Sequence, residues 1–167
     1  STQRCAQCGK TPAEDHVKLE VDHKIPHGWG GTDDIENLQP LCGQCNHDKQ
    51  AFYSSMAPFD EQIEISLGNQ EPHRRIGELH EAFHAAGQAA PAQVIGVVAS
   101  MHQYQDDWQK RMRELRELGW DYETIKRSST GAYELYKLTS FTLWLTGNIA
   151  AEIRRREKTR KAQKQQP

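Results

Sequence analysis

Four cysteines occur in this chain of 167 residues, as two C-x-x-C pairs, Cys5/Cys8 and Cys42/Cys45. Each pair fits a tight knuckle, and two knuckles can supply one tetrahedral Zn²⁺ site in which every ligand is a thiolate. Such a site leaves no coordination position open for substrate, so the zinc expected here is structural. Two disulfides are the alternative, against which the knuckle spacing, the low cysteine density and the lack of a secretion signal all count. A second group is His80-Glu81-Ala82-Phe83-His84, a literal H-E-x-x-H. On a helix it would set two histidines one turn apart with a glutamate as base, the zinc-protease arrangement. The helix predicted over Arg74–Ala86 already has a core stripe in Ile76, Leu79 and Phe83, which leaves His80 and His84 on its flank. No third ligand stands out downstream, where His102 and Glu114 are the candidates.

Between the cysteine pairs stand Glu20-Val21-Asp22-His23-Lys24-Ile25-Pro26 and Asn37-Leu38-Gln39-Pro40-Leu41-Cys42, and the second pair runs into Cys45-Asn46-His47-Asp48-Lys49. Over residues 4–55 the chain resembles the HNH endonucleases of the ββα-metal fold. The resemblance rests on a D-H pair on a strand, the Gly30-Gly31 loop, an N-L-x-x-L-C segment and a C-x-x-C-[HN]-x-x-K helix start. Phosphodiester hydrolysis needs a base near the attacking water, neutralisation of charge on the phosphorane and help for the departing 3′ oxygen. The resemblance implies that His23 is the general base, that Asp22 and Asn46 bind a catalytic divalent ion, and that Asn37 holds the loop backbone so as to position His23. Many members have a histidine where this chain has Asn46. An amide oxygen suits Mg²⁺ or Mn²⁺ better than a soft metal. His47, turned about 100° around the helix from Asn46, is the alternative ligand. Lys49, one turn beyond Asn46, is read either as a phosphate contact or as a solvated helix lysine. Adjacent strand residues point to opposite faces, so a shared task for Asp22 and His23 implies a local distortion of the strand.

The elements that must position these groups are legible as patterns. Strand-like alternation runs from Val17 to Ile25. A turn-rich stretch, His27-Gly28-Trp29-Gly30-Gly31, leads to a short apolar run at Leu38–Leu41 and a helical segment from Gly43 to about Met56. The nuclease-like unit is therefore assigned to 1–57, with a linker at 58–72. Beyond it three helices are predicted: Arg74–Ala86, one opened by Pro91 and reaching about Ser100, and one started by Asp106-Asp107 and closed by Gly119. Two strand-like segments follow, Tyr122–Lys126 and Tyr133–Leu138. Three helices and a hairpin in this order look like a winged helix-turn-helix domain, and the chain over 73–140 is similar to such domains fused to nucleases. That resemblance places Lys110, Arg111 and Arg113 of the third helix at DNA, with Arg127 and Ser128–Thr130 in the wing. The remainder, 141–167, is expected as one apolar-faced helix through Phe141–Leu145, Ile149 and Ile153, followed from Arg154 to Lys164 by a frayed basic helix or coil.

The fold class expected is α+β, a zinc-stapled ββα-metal unit followed by a mostly helical winged-helix domain. Charge supports a nucleic-acid partner only in its distribution. Lys and Arg number 21 against 23 Asp and Glu, but seven basic residues from Arg154 onward face one acid, Glu157. No apolar run reaches the length of a membrane span, and the expected location is cytoplasmic. Together these features point to a metal-dependent DNA endonuclease of restriction type, acting on double-stranded DNA, sequence- or methylation-directed, as a homodimer or by sequential nicking. A zinc-stabilised DNA-binding regulator without catalysis is the rival reading, and homing or phage-type HNH nucleases are a further one.

Overall fold

The computed structural model describes residues 3–101, 107–126 and 134–164. The chain divides into two compact units, Ser1–Glu64 and Ile65–Pro167.

The first unit begins with a single helical turn, α1 (Pro12–Asp15). It is capped at Thr11, whose hydroxyl accepts the Glu14 N–H while its own N–H donates to the Asp15 carboxylate. Two strands, β1 (Leu19–His23) and β2 (Leu38–Cys42), pair antiparallel from Leu19 opposite Cys42 to His23 opposite Leu38. Helix α2 (Gly43–Ser55) starts directly from β2, with Cys42 as its N-cap residue. The core between these pieces consists of Cys5, Leu41, Cys42 and Cys45, with Val17 and Leu19 packed against it. A second anchor is Trp29, which is buried, presents its ring edge-on to Tyr53 at 4.8 Å and donates its indole N–H to Asp60.

Two expectations change here. The β1–β2 ladder keeps its register throughout, so the distortion expected at Asp22–His23 is absent. The two side chains diverge instead, as pleating requires. The segment read as a linker, 58–72, carries helix α3 (Asp60–Leu67), in which Ile63 and Leu67 are buried.

The second unit contains α4 (Pro72–Ala85), the short strand β3 (Ala90–Pro91), α5 (Ala92–Ser100), α6 (Trp108–Arg116), β4 (Asp121–Lys126), β5 (Glu134–Ser140) and α7 (Ile149–Lys164). The strands form an antiparallel sheet in the order β3-β5-β4. Local chemistry accounts for the helix starts: Glu71 caps α4 by accepting the Arg74 N–H, and Asp107 caps α6 by accepting the Lys110 N–H. Apolar stripes face inward from α4 (Ile76, Leu79, Phe83), α5 (Val94, Ile95, Val98) and α6 (Met112, Leu115), and Trp120, Tyr122 and Leu138 close the core from the sheet side.

One buried charge organises this unit. Arg75, 1% exposed, donates to the carbonyls of Val98 and Ala99 in the last turn of α5, and to those of Asn69 and Gln70 ahead of α4. Carbonyls at a helix end have no intrahelical partner, and the guanidinium fork supplies several donors to them at once.

The chain after β5 departs from expectation too. Residues 141–148 form no helix, and Leu143 is 93% exposed. Trp144 instead packs against Trp120 at 4.8 Å and against Gly77, where even a Cβ would approach the indole to 2.3 Å. Of the two forms expected for the basic tail, helix and coil, it takes the helix, continuous with Ile149–Ile153. Ile149 and Ile153 are buried, Arg156 donates to the Glu117 carbonyl, and Arg160 pairs with the Glu117 carboxylate at 2.8 Å.

The H-E-x-x-H motif is dismantled by burial. His80 lies in the core beside Tyr122, with both ring nitrogens unpartnered, whereas His84 is exposed. Among the described residues these side chains form no metal-ligating group. The flank position expected for His80 is thus occupied by neighbouring elements.

Replacing Arg75 with Met should destabilise the second unit by about 3 kcal/mol or more, because charge-assisted bonds are lost and carbonyls are left unpaired; urea unfolding will measure it. Burial lowers the His80 pKa to about 3. Its folded value lies below the unfolded one, so the neutral ring favours the folded state above about pH 6.5, and stability is lost as pH falls from there toward 3. His80→Phe should flatten the acid limb of a stability-versus-pH curve.

Candidate nuclease centre

The four cysteine sulfurs lie within 4.8 Å of one another, and Cys8 Sγ and Cys42 Sγ are 3.8 Å apart. A sulfur tetrahedron around zinc with bonds of about 2.3 Å has edges of about 3.8 Å. A disulfide needs a separation of about 2.0 Å, and all four cysteines are free. The cluster is compatible with a structural zinc. Burial raises the Cys5 thiol pKa, but backbone N–H groups of Cys8, Cys42 and Gln7 outweigh it and bring the value to about 6. Burial and the neighbouring thiols push Cys45 upward. Four thiolates converging on one point require a cation to be ionised together.

The faces of the β1–β2 ribbon separate the catalytic candidates. Asp22 points to α2, where Lys49 Nζ bonds both its carboxylate and the His23 carbonyl, and Gln39 adds a third contact at 3.1 Å. Lys49 is therefore an internal ion-pair partner in this structure rather than a solvated helix lysine. Asn46, one turn before Lys49, donates its amide to Glu20 at 2.9 Å. Glu20 and Asp22 share a strand face, and Asn46 and Lys49 share a helix side, so the two pairs lie next to each other. The Asp22 carboxylate already holds a cation, the Lys49 ammonium, and its neighbours offer oxygen donors of the kind a hard divalent ion takes. His47 is exposed on α2.

His23 turns to the loop side. Its Nε2 lies 2.8 Å from Asp33 Oδ1, and His27 Nε2 lies 3.0 Å from the same oxygen. The hydrogen bond from His23, then the charge of His27, lowers the Asp33 pKa. Asp33 did not stand out in the sequence, because it is ten residues from His23 in a polar loop without periodicity, and His27 reads there only as a loop residue, for DNA contact or loop packing, with no link to His23. Asn37 hydrogen-bonds the loop backbone at two places. Its Oδ1 accepts the Ile25 N–H at 2.9 Å, and its Nδ2 donates to the carbonyls of Ile25 and Thr32. Gly31 is required beside this clamp, since a Cβ there would approach the Ile25 carbonyl oxygen to 1.9 Å.

The basic residues of α6 are engaged within their own unit. Arg111 pairs with Glu114 at 2.7 Å, Lys110 approaches the same carboxylate at 3.9 Å, and Arg113 meets Asp107 at 3.2 Å. Glu114 also meets His73, which bridges it to Glu71. Arg127 and Ser128–Thr130 lie outside the described residues. No helix among the described residues is long and apolar enough to cross a membrane.

Residues 5–52 match the family model of the HNH endonuclease, a match that spans both cysteine knuckles, β1, the loop, β2 and most of α2. No curated protein and no solved structure matches the chain. The match indicates a nuclease domain acting on DNA at residues 5–52.

Native mass spectrometry should find one tightly held zinc per chain that survives mild chelation. Cys42→Ser should release it and unfold the first unit, since binding free energies of roughly 10 kcal/mol at such sites are folding free energy. The change will be read as loss of the protected Trp29 fluorescence.

Proposed function

We propose that the chain is a metal-dependent DNA endonuclease of restriction type, with His23 as the general base of residues 5–52. The observation that carries this reading is the clamped β1–β2 loop. Asn37 fixes the backbone on both sides of it, and Asp33 accepts a hydrogen bond from the His23 ring, so the imidazole is held in one orientation. A neutral ring fixed in this way can take a proton from a water at its free nitrogen, and the Asp33 carboxylate stabilises the imidazolium that forms. Asp22 and Asn46 would hold the divalent ion, Mg²⁺ or Mn²⁺, once Lys49 gives way on the carboxylate. When bound there, the ion supplies neutralisation of the phosphorane and of the departing 3′ oxygen. Lys49, once released, presents an ammonium to the phosphate.

The second unit supports a DNA-reading role by its order of elements. A helix, a short strand, two further helices and a hairpin follow one another as in winged-helix domains, with α6 as the element for the major groove. Lys110, Arg111 and Arg113 would exchange their intramolecular carboxylates for phosphates or base edges, joined by Arg127. The partner is double-stranded DNA, and cutting both strands calls for a homodimer or for sequential nicks. Free thiols in both knuckles suit a reducing, cytoplasmic setting.

Incubation with supercoiled plasmid and Mn²⁺ should yield nicked and linear product. His23→Ala should lower the cleavage rate by about 10²-fold or more while DNA binding and thermal unfolding stay as in the wild type. Wild-type cutting by that variant would remove the base assignment. Parallel digests of methylated and unmethylated plasmid, with the ends mapped, address what directs the cut.

A further inference from the structure

We propose that His23, His27 and Asp33 form a second metal site, distinct from the cysteine cluster and from Asp22, which takes a divalent transition ion of the Zn²⁺ class and silences His23 when filled. The inference rests on the reading of His23 as the general base for its functional half, and on geometry alone for its binding half.

The three ligand atoms lie within 4.8 Å of one another, the two ring nitrogens approaching Asp33 Oδ1 at 2.8 and 3.0 Å, and the ring centroids of His23 and His27 are 4.2 Å apart. Donors bound at about 2.1 Å to one ion sit about 3.0–3.4 Å from each other. Small shifts would therefore admit an ion where two N–H protons now face one carboxylate oxygen. Two imidazoles and a carboxylate select Zn²⁺, Co²⁺ or Ni²⁺ over Mg²⁺, which prefers oxygen alone.

The loop is built to keep these donors in place. His27 sits in a short helical turn, His27–Trp29, whose last residue is the buried Trp29, and Gly30 N–H and Gly31 N–H bond back to His27 and Pro26. Asp33 lies between Thr32, whose carbonyl accepts from Asn37, and Asp34, whose carboxylate accepts from Thr32 Oγ1. Little ordering is left to be done on binding. The exposure of His27 and Asp33, 59% and 82% for their side chains, leaves the remaining coordination positions to water.

The functional consequence follows from the electron count of the ring. Neutral imidazole carries one basic lone pair, and coordination through Nε2 commits it. The proton that Nε2 gives up on coordination passes to Nδ1, the nitrogen otherwise free to act as base, so neither can accept one from water. An ion at this site thus brakes hydrolysis while leaving DNA binding untouched.

The full-length chain, already carrying its cysteine-bound zinc, is titrated with ZnCl₂ in a calorimeter without DNA. A further saturable equivalent is expected in the wild type, weakened at least about tenfold in His27→Ala and in Asp33→Asn. Absence of that equivalent in the wild type, or its persistence at full affinity in the double variant, overturns the site. Cleavage assays in Mg²⁺ are run in parallel, each protein compared with its own rate without added zinc. Zinc should inhibit the wild type at the concentrations that fill the site, and His27→Ala should need correspondingly more. Filling without inhibition overturns the silencing of His23 while leaving the metal site standing. If no protein cleaves DNA under any condition, the nuclease reading fails and the titration still decides the site.

Discussion

Everything in the first unit depends on four sulfur atoms meeting at one point. A unit of this size has little apolar surface to bury, and its core is the cysteine cluster itself, with Leu41, Val17 and Leu19 around it. The cluster ties the first knuckle to the junction of β2 and α2, because Cys42 both ends the strand and caps the helix. The angle at which α2 leaves the hairpin is thereby set, and with it the apposition of Asn46 to Glu20 and of Lys49 to Asp22. A zinc ion there would act on the arrangement of oxygen donors at a distance, by fixing the helix that carries half of them.

The second unit solves the same problem by different means. Its helices bury aliphatic stripes in the ordinary way, and its special device is a single guanidinium that gathers carbonyls from two segments. Where the first unit has ligands that need a cation, the second has a cation that needs acceptors. His73 does similar work nearby, standing between the carboxylates of Glu71 and Glu114. These acidic and basic groups are consumed internally, which explains why a charge total says little about the surface.

The elements of the nuclease-like unit were legible because each carries a strong local signal. Alternation marks β1, knuckle spacing marks the cysteines, and the start of α2 follows from Gly43 after the strand. The three helices after it were legible from the stripe of Ile76, Leu79 and Phe83, from Pro91 and from Asp106-Asp107, whereas the cap at Glu71 ahead of Pro72 lies in what reads as linker. The sequence misled where one signal served two masters. Ile63 and Leu67 make a helix of what proline and glycine made look like a linker. Phe141, Trp144 and Leu145 share the spacing of a helix, yet Trp144 is claimed by the seat at Gly77, and α7 begins only at Ile149. His80 is apolar in its behaviour, a ring in a core, and no local pattern distinguishes that from a ligand. The partners of His23 could not be read at all, because His27 and Asp33 are brought to it by the Asn37 clamp rather than by any period along the chain.

The contact between Lys49 and Asp22 makes the resting centre electrically complete. A lone carboxylate with 14% of its side chain exposed would be costly to hold charged, and the lysine removes that cost before any ion arrives. On the proposed reading of Asp22 as a metal ligand, an incoming divalent ion would have to evict a tethered monovalent one, and the evicted ammonium would stay within reach on α2. Capture of the metal and appearance of a mobile positive charge beside it would then be one event, rewriting the surface offered to a phosphate by the same exchange that arms the carboxylate.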